Sequence, residues 1–300
     1  MGNNQNQPIR RYNKQFMELL QAVVEKRALF RDFFVGGTIE ALDGVQHNET
    51  AFSVKTSDIP VVVSEYNTDP NVGMGTGTAN SSRFGEITEI IYEDEDVPYR
   101  WVWNFHEGID RATVNQDFNV AIADRLALQA EAKIEKFNQE HSWFISQSAS
   151  ESFSIEEYTD EAVNKLFNDM RKHFVNNKVR ANLTRVAKVN PDLYAYLVDN
   201  KLATTGKHSS ANVDTGEIYQ YKGFILEEIA ETDFQKGDIA YAYATGIAKA
   251  FTGINTARTI ESHNFDGVQL QGHGKAGEYI PEQNKIAVVK ATFGENTPEG

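Results

Sequence analysis

Apolar residues at Phe16, Leu19, Leu20, Val23 and Val24 recur at the helical step, with Lys and Arg on the opposite flank, so residues 16–33 are expected to form a short amphipathic helix. Short β-type runs follow at 33–39, 51–56 and 60–66, separated by Gly, Asn and Asp. From 67 to 85 the periodicity disappears: Asp69, Pro70, Asn71, Gly73, Gly75, Gly77, Gly85 and the run Asn80-Ser81-Ser82 leave almost nothing to bury. A structureless stretch of about 20 residues is uncommon inside a compact domain. Either it is disordered or something outside the subunit holds it. Strand patterning returns at 86–92. It is clearest where Val97, Tyr99, Trp101, Trp103 and Phe105 alternate with Pro98, Arg100, Val102, Asn104 and His106, giving one aromatic face.

Thr113-x-x-Gln116 has the form of a capping box. Beyond it Phe118, Ile122, Leu126, Ala130, Ile134, Phe137 and Phe144 keep the helical step to Ile145 without Gly or Pro. At 1.5 Å per residue this is a rod of roughly 50 Å, about the diameter of a compact chain of this length. It is therefore expected to run the length of the subunit. A second helix is expected over 159–174, its stripe of Val163, Leu166, Phe167, Met170 and Phe174 serving as core. Residues 183–189 read as a strand, and Asn190-Pro191 as a capped helix start leading into a short helix over 192–200. Strands are expected at 219–229 and 239–244, with two or three more between 256 and 293. Strands, one very long helix, then mixed elements place the chain in the α+β class.

Of the 300 residues, 40% are apolar, 24% are charged and none is cysteine, which excludes a disulfide-stapled scaffold. No run approaches 18 apolar residues and the first seven are polar, so the chain is expected neither to span a membrane nor to carry a secretion signal. Its expected setting is a reducing cytoplasm. The net charge of −14 opposes tight binding to nucleic acid phosphates and argues against a DNA reader. That charge is uneven. Residues 1–35 hold six basic groups (Arg10, Arg11, Lys14, Lys26, Arg27, Arg31) and three acidic ones, whereas 36–110 hold three basic and fourteen acidic. A cationic end beside an anionic arm would let one copy meet another. Within the arm, the run Glu93, Asp94, Glu95, Asp96 reads either as a solvated turn or as a contact for a basic neighbour.

Motifs for chemistry fail on their context. Gly272-His273-Gly274-Lys275-Ala276-Gly277 spells a dinucleotide fingerprint, but only 23 residues follow it, too few for the required βαβ unit, so a Gly-rich turn between strands is expected. Gly206-Lys207 lacks the first glycine of a phosphate loop, with Lys201 in its place and His208 where a hydroxyl is needed. His106-Glu107 has no second histidine four positions after the first, and the other histidines share no ligand spacing. No nucleophile elbow occurs. No catalytic, metal-binding or cofactor-binding residue is assigned.

The layout is similar to the major capsid proteins of tailed bacteriophages, the Hong Kong 97 fold: an N-terminal arm, an extended β-hairpin loop, a long spine helix, and peripheral and axial lobes. Val186-Ala187-Lys188-Val189-Asn190-Pro191-Asp192-Leu193-Tyr194-Ala195-Tyr196-Leu197 resembles the strand-to-helix passage of the axial lobe. Ala250-Phe251-Thr252-Gly253-Ile254-Asn255-Thr256-Ala257-Arg258-Thr259-Ile260-Glu261-Ser262, Gly267-Val268-Gln269-Leu270-Gln271-Gly272 and Ala287-Val288-Val289-Lys290-Ala291-Thr292-Phe293 resemble coat proteins of lactococcal and streptococcal siphophages. On this resemblance the chain divides into an arm (1–38), the extended loop with its flanking strands (39–110), spine helix and peripheral lobe (111–180), axial lobe (181–250), peripheral-lobe strands (251–282), and a last axial strand with the tail (283–300).

The resemblance implies a major capsid protein, not an enzyme, that assembles as pentamers and hexamers into an icosahedral head around double-stranded DNA, in the virion after assembly in a bacterial cytoplasm. It implies intersubunit contacts through the loop residues Asn67, Asp69, Pro70, Gly73, Gly75, Gly77, Arg83, Glu93, Asp94, Glu95 and Asp96, and through the arm residues Arg10, Arg11, Lys14, Lys26, Arg27 and Arg31. Portal protein, packaged DNA in weak non-specific contact, and a decoration protein as an optional addition complete the implied partners; no cofactor and no membrane are among them. The family's founding member welds its shell through a loop lysine, whereas 66–85 contain none, which implies a non-covalent shell. Fewer than 40 residues precede the first strand, in place of a fused scaffold segment, which implies a separate scaffolding protein. Two alternatives stay open: an encapsulin-type shell around a cargo enzyme, and a soluble enzyme with an unrecognised site.

Overall fold

The computed structural model describes residues 27–42, 50–57, 59, 61–70, 72–73, 82–114, 117–199, 210–212 and 217–294. Thirteen strands and four α-helices are found among them. The strands are β1 (Phe34–Ala41), β2 (Thr50–Thr56), β3 (Glu93–Pro98), β4 (Trp101–Asp110), β5 (Glu151–Ile155), β6 (Arg185–Val189), β7 (Ser210–Asn212), β8 (Glu217–Tyr221), β9 (Phe224–Glu228), β10 (Asp238–Ala244), β11 (Ala248–Glu261), β12 (Gly267–Tyr279) and β13 (Val288–Phe293). The helices are α1 (Phe118–Ser148), α2 (Asp160–Asn176), α3 (Pro191–Asp199) and α4 (Glu282–Lys285).

The strands form a four-stranded sheet in the order β1-β11-β12-β4, a seven-stranded sheet in the order β5-β13-β10-β6-β9-β8-β7, and the isolated pair β2-β3. The seven-stranded sheet is mixed. β5 runs parallel to β13 and β6 parallel to β9, while β10 is antiparallel to both of its neighbours. Every residue of β10 is buried, as the central strand of a sheet covered on both faces must be. α2 lays Val163, Leu166, Phe167, Met170 and Phe174 on this sheet, with Phe167 edge-on to Tyr221 and Phe174 edge-on to Phe224. β5 and α2 thus join the same core as β6 to β10, and residues 111–180 are shared between the two large sheets.

The long helix forms as expected: 31 residues without Gly or Pro, about 46 Å at the usual rise. Its cap differs from the expected box. The Asp117 carboxylate accepts from the Asn119 N–H at 3.0 Å, and Thr113 closes a preceding 3-10 turn instead. The expected stripe is not one face either. Residues four apart advance 40° around the helix at each step, so Leu126 emerges exposed and burial concentrates at Phe137, His141 and Ile145.

Other expectations fare differently. Within 16–33, residues 16–26 lie outside the described residues, and 29–33 form a turn followed by a 3-10 turn (Arg31–Phe33), not an α-helix. No strand forms among the described residues of 60–66 or in 86–92. The acidic run 93–96 is not a turn but most of β3, laddered to β2. The expected strand at 219–229 is two, β8 and β9, broken at Lys222 and Gly223, both at positive φ as a tight hairpin turn requires. Asn190 caps α3 as expected, its side-chain oxygen accepting from the Leu193 N–H at 3.0 Å.

The segment 272–277 is the interior of β12, paired with both β4 and β11, and not a turn. Gly272 and Gly277 stand at points of close approach. A Cβ on Gly277 would stand 2.7 Å from the Phe251 ring.

Candidate intersubunit surface

The β2-β3 ladder pairs Thr56 with Glu93, Lys55 with Asp94, Val54 with Glu95 and Ser53 with Asp96. Residues 57–92 leave and return at its open end. The described part of this excursion has no helix or strand, yet it is closed at a neck. The Asn67 N–H donates to the Arg83 carbonyl at 2.9 Å, Arg83 Nε donates to the Val72 carbonyl at 2.8 Å, and Tyr66 and Phe84 meet edge to face with centroids 5.1 Å apart. Asn67 also accepts from the Asp69 N–H at 2.8 Å, bending the chain towards Pro70. Gly73 sits at φ +73 beside Arg83, where a Cβ would press on the arginine stem at 3.2 Å. Asn67, Asp69, Pro70, Gly73 and Arg83 are therefore brought together as the neck of the loop. Gly75 and Gly77 lie outside the described residues.

All four carboxylates of the acidic run are exposed. As strand residues they alternate. Asp94 faces Lys55 at 3.7 Å and Asp96 accepts from Ser53, while Glu95 on the other face accepts from the Tyr279 hydroxyl at 3.2 Å. β3 presents charge on both sides of a two-stranded ribbon.

Half of the large apolar side chains exposed among the described residues lie between Ile59 and Tyr92. Val61, Val63 and Ile87 are 87%, 91% and 96% exposed, and Phe84, Ile90, Ile91 and Tyr92 accompany them. So many bare apolar side chains gathered in one segment are unusual for a lone subunit. The charge and glycine patterns pointed to the loop but passed over these residues, whose signal was β-branched composition in a segment with no strand partner.

The described end of the arm is tethered firmly. The Leu29 N–H donates to Asn138 Oδ1 at 3.0 Å and Asn138 Nδ2 donates to the Arg27 carbonyl at 2.9 Å, while Phe30 and Phe33 are buried. Asp32 accepts from the Tyr243 hydroxyl at 3.0 Å and lies 3.3 Å from the ammonium of fully buried Lys188, which also meets Glu227. Of the arm cations, Arg27 and Arg31 are exposed, Arg31 donating to the Gly37 carbonyl at 3.0 Å. Arg10, Arg11, Lys14 and Lys26 lie outside the described residues.

Where the loop returns to the body, residues 99–100 link β3 to β4 and a buried ionic cluster holds the joint. The fully buried carboxylate of Glu278 in β12 meets Arg100 Nε at 2.9 Å, His141 Nδ1 at 2.8 Å and Trp101 Nε1 at 3.2 Å. Arg100 also reaches Glu140 at 2.8 Å and lies over the Trp143 ring. Burial would push the Glu278 carboxyl up, but its contacts with His141 and Arg100 outweigh that and hold it below the ordinary carboxylate range. Loop root, spine helix and four-stranded sheet are bound through one carboxylate.

Among the described residues no group of His, Asp or Glu is arranged to hold a metal ion. No described helix is long and apolar enough to cross a membrane.

No protein-family model matches the chain, and no curated protein matches it in sequence. Its fold is nevertheless shared with solved capsids. The capsid protein of the cyanophage P-SCSP1u superposes with a TM-score of 0.67 at 12% identity, covering 91% of this chain and 90% of that one. The mature capsid of bacteriophage PhiM1 gives 0.66 at 10% identity over 92% and 89%. The virus-like particle from Pyrococcus furiosus gives 0.50 at 13% identity over 93% and 98%. The chain thus has the Hong Kong 97-like fold of phage capsid proteins.

Proposed function

We propose that this chain is the major coat protein of a tailed bacteriophage, building the icosahedral head from pentamers and hexamers of itself around double-stranded DNA. The observation that carries the proposal is the excursion 57–92: a solvated apolar surface on an acidic ribbon, projecting from a fold shared with phage capsids. Such a surface is costly in a lone subunit and is accounted for if it lies on a neighbouring copy. The acidic ribbon and the cationic arm give that contact complementary charge, which sets register and encounter more than affinity.

In this reading the lobes divide as arm (1–38), loop (39–110), spine and peripheral lobe (111–180 and 251–282) and axial lobe (181–250 and 283–300). The four-stranded sheet serves as the peripheral framework and the seven-stranded sheet as the axial one, with β5 and α2 of the 111–180 segment packed on the axial side. The subunit is structural and not catalytic, and its place is the virion after assembly in the host cytoplasm. A separate scaffolding protein and a portal are its assembly partners, a decoration protein an optional one, and the net acidic wall holds DNA weakly. Kinship with lactococcal and streptococcal siphophages is the finer form of the proposal, supported by the C-terminal words of the sequence.

A second reading, an encapsulin-type shell around a cargo enzyme, keeps this fold, which is shared with a virus-like particle from Pyrococcus furiosus, and changes only what the shell encloses. Purified particles separate the two: nucleic acid with a portal belongs to a phage head, an enclosed enzyme to a compartment. Deleting 67–83 tests the loop. Tyr66 and Phe84 already touch, so the cut ends meet. Soluble subunits without closed particles in negative-stain microscopy are expected, and normal shells would refute the loop's role.

A further inference from the structure

A groove of about 580 Å³ runs between the arm root with β1 and one face of the spine helix. Its helix wall is Ala130, Lys133, Ile134, Phe137 and His141, spaced three and four apart, and Phe30, Phe34 and Ile39 line the other side. Burial here pushes the Lys133 ammonium below its usual range. Its ammonium lies 4.3 Å from the Trp103 ring centroid. Ile39 and Ala130 remain exposed at the lips. The groove is apolar and open.

We propose that the occupant of this groove in the free subunit is the chain's own segment 16–24, whose Phe16, Leu19, Leu20, Val23 and Val24 form one apolar stripe. Reach limits the choice. The chain is pinned beside the groove by the two hydrogen bonds of Asn138, and Ala28 is itself part of the lining. Three residues separate Val24 from Ala28, a span of four steps and at most about 14 Å of extended chain. As a helix the stripe is about 13 Å long, and the wall from Ala130 to His141 is about 17 Å. Laid as a helix alongside the wall in this way, the segment would bring Leu20 near Ala130 and Val23 and Val24 near Ile134. The acids Glu18 and Glu25 then point away from the groove, to solvent. The inference concerns the free subunit and holds whether or not the chain builds shells.

The absence of cysteine makes the test clean, since two introduced thiols are the only ones present. In the full chain at dilute concentration, Leu20→Cys with Ala130→Cys should oxidise to an intrachain disulfide at least fivefold more than Glu18→Cys with Ala130→Cys, whose first thiol is on the opposite face. Val23→Cys with Ile134→Cys is a second on-face pair, should either variant misfold. Removing 1–24 should raise binding of an anilinonaphthalene dye severalfold. Equal oxidation of on-face and off-face pairs, no disulfide in either on-face pair, or a disulfide that forms only between chains in a mixture of single-cysteine subunits would each overturn the proposal.

Discussion

Replacing Val63 and Ile87 together by serine isolates the apolar loop surface from the stability of the subunit. The two side chains are 91% and 96% exposed, so in the free subunit they contribute almost no burial, and the unfolding free energy should move by no more than about 0.5 kcal/mol. If a neighbouring copy covers them, each loses on the order of 1.5–3 kcal/mol of burial on assembly, about 3–6 kcal/mol per subunit for the pair. At about 1.4 kcal/mol per tenfold, the subunit concentration at which particles appear should rise by roughly 10²- to 10⁴-fold. Light scattering against concentration, with negative-stain images at each point, reads the onset, and thermal unfolding of the free subunit reads the control. An unchanged onset would show that the loop surface stays wet in the assembly. A parallel loss of subunit stability would show that these residues pack within their own chain. Either result refutes the argument.

The Glu278 cluster makes a prediction on the subunit itself. Glu278→Ala leaves Arg100 and His141 facing a buried gap and should cost about 3–5 kcal/mol in chemical denaturation; a loss under about 1 kcal/mol would mean the cluster does not hold the joint. Because the Glu278 carboxyl is held below its ordinary value of 4.5, its contribution is complete above that pH and lost as pH falls below it. Protection factors for amide exchange at 99–101, corrected for the intrinsic rate at each pH, should fall on acidification through that range in the wild type, and that fall should be absent from Glu278→Ala. Reversing Glu93, Asp94, Glu95 and Asp96 to lysine should lower assembly yield and flatten its dependence on ionic strength; an unchanged salt profile would mean that these carboxylates meet only water.

Several elements follow from local rules and are read correctly from the chain: the long α1, the buried stripe of α2, the Asn190-Pro191 start of α3, and the alternation of Trp101, Trp103 and Phe105 on β4. Helix periodicity is a property of a few consecutive residues, so these helices are legible without knowledge of the partner, whereas the cap of α1 and the turn at 29–33 depart from the expected pattern. Strands do not share that property. The apolar stretches at 61–66 and 86–92 have good β-type composition but no ladder to join, and stay irregular. The run 93–96 has poor composition and becomes a strand because β2 lies alongside it. Likewise Gly272 and Gly277 are strand residues of β12 at positions where aromatic rings press close.

The candidate surface divides in the same way. Its location was legible, because a glycine-rich gap and an acidic block are compositional facts. Its chemistry was not. Exposure of Val61, Val63 and Ile87 depends on which side chains the rest of the chain fails to cover. The joint that holds the loop joins Glu278 to His141 across 137 positions and to Arg100 across 178. Sequence by itself determined α1, α2 and α3, the class and the uneven charge, since these are set by neighbours along the chain. Only the tertiary structure decided which strands exist, which apolar residues are left bare and which distant charges share a buried site, since those depend on partners that folding alone brings within reach.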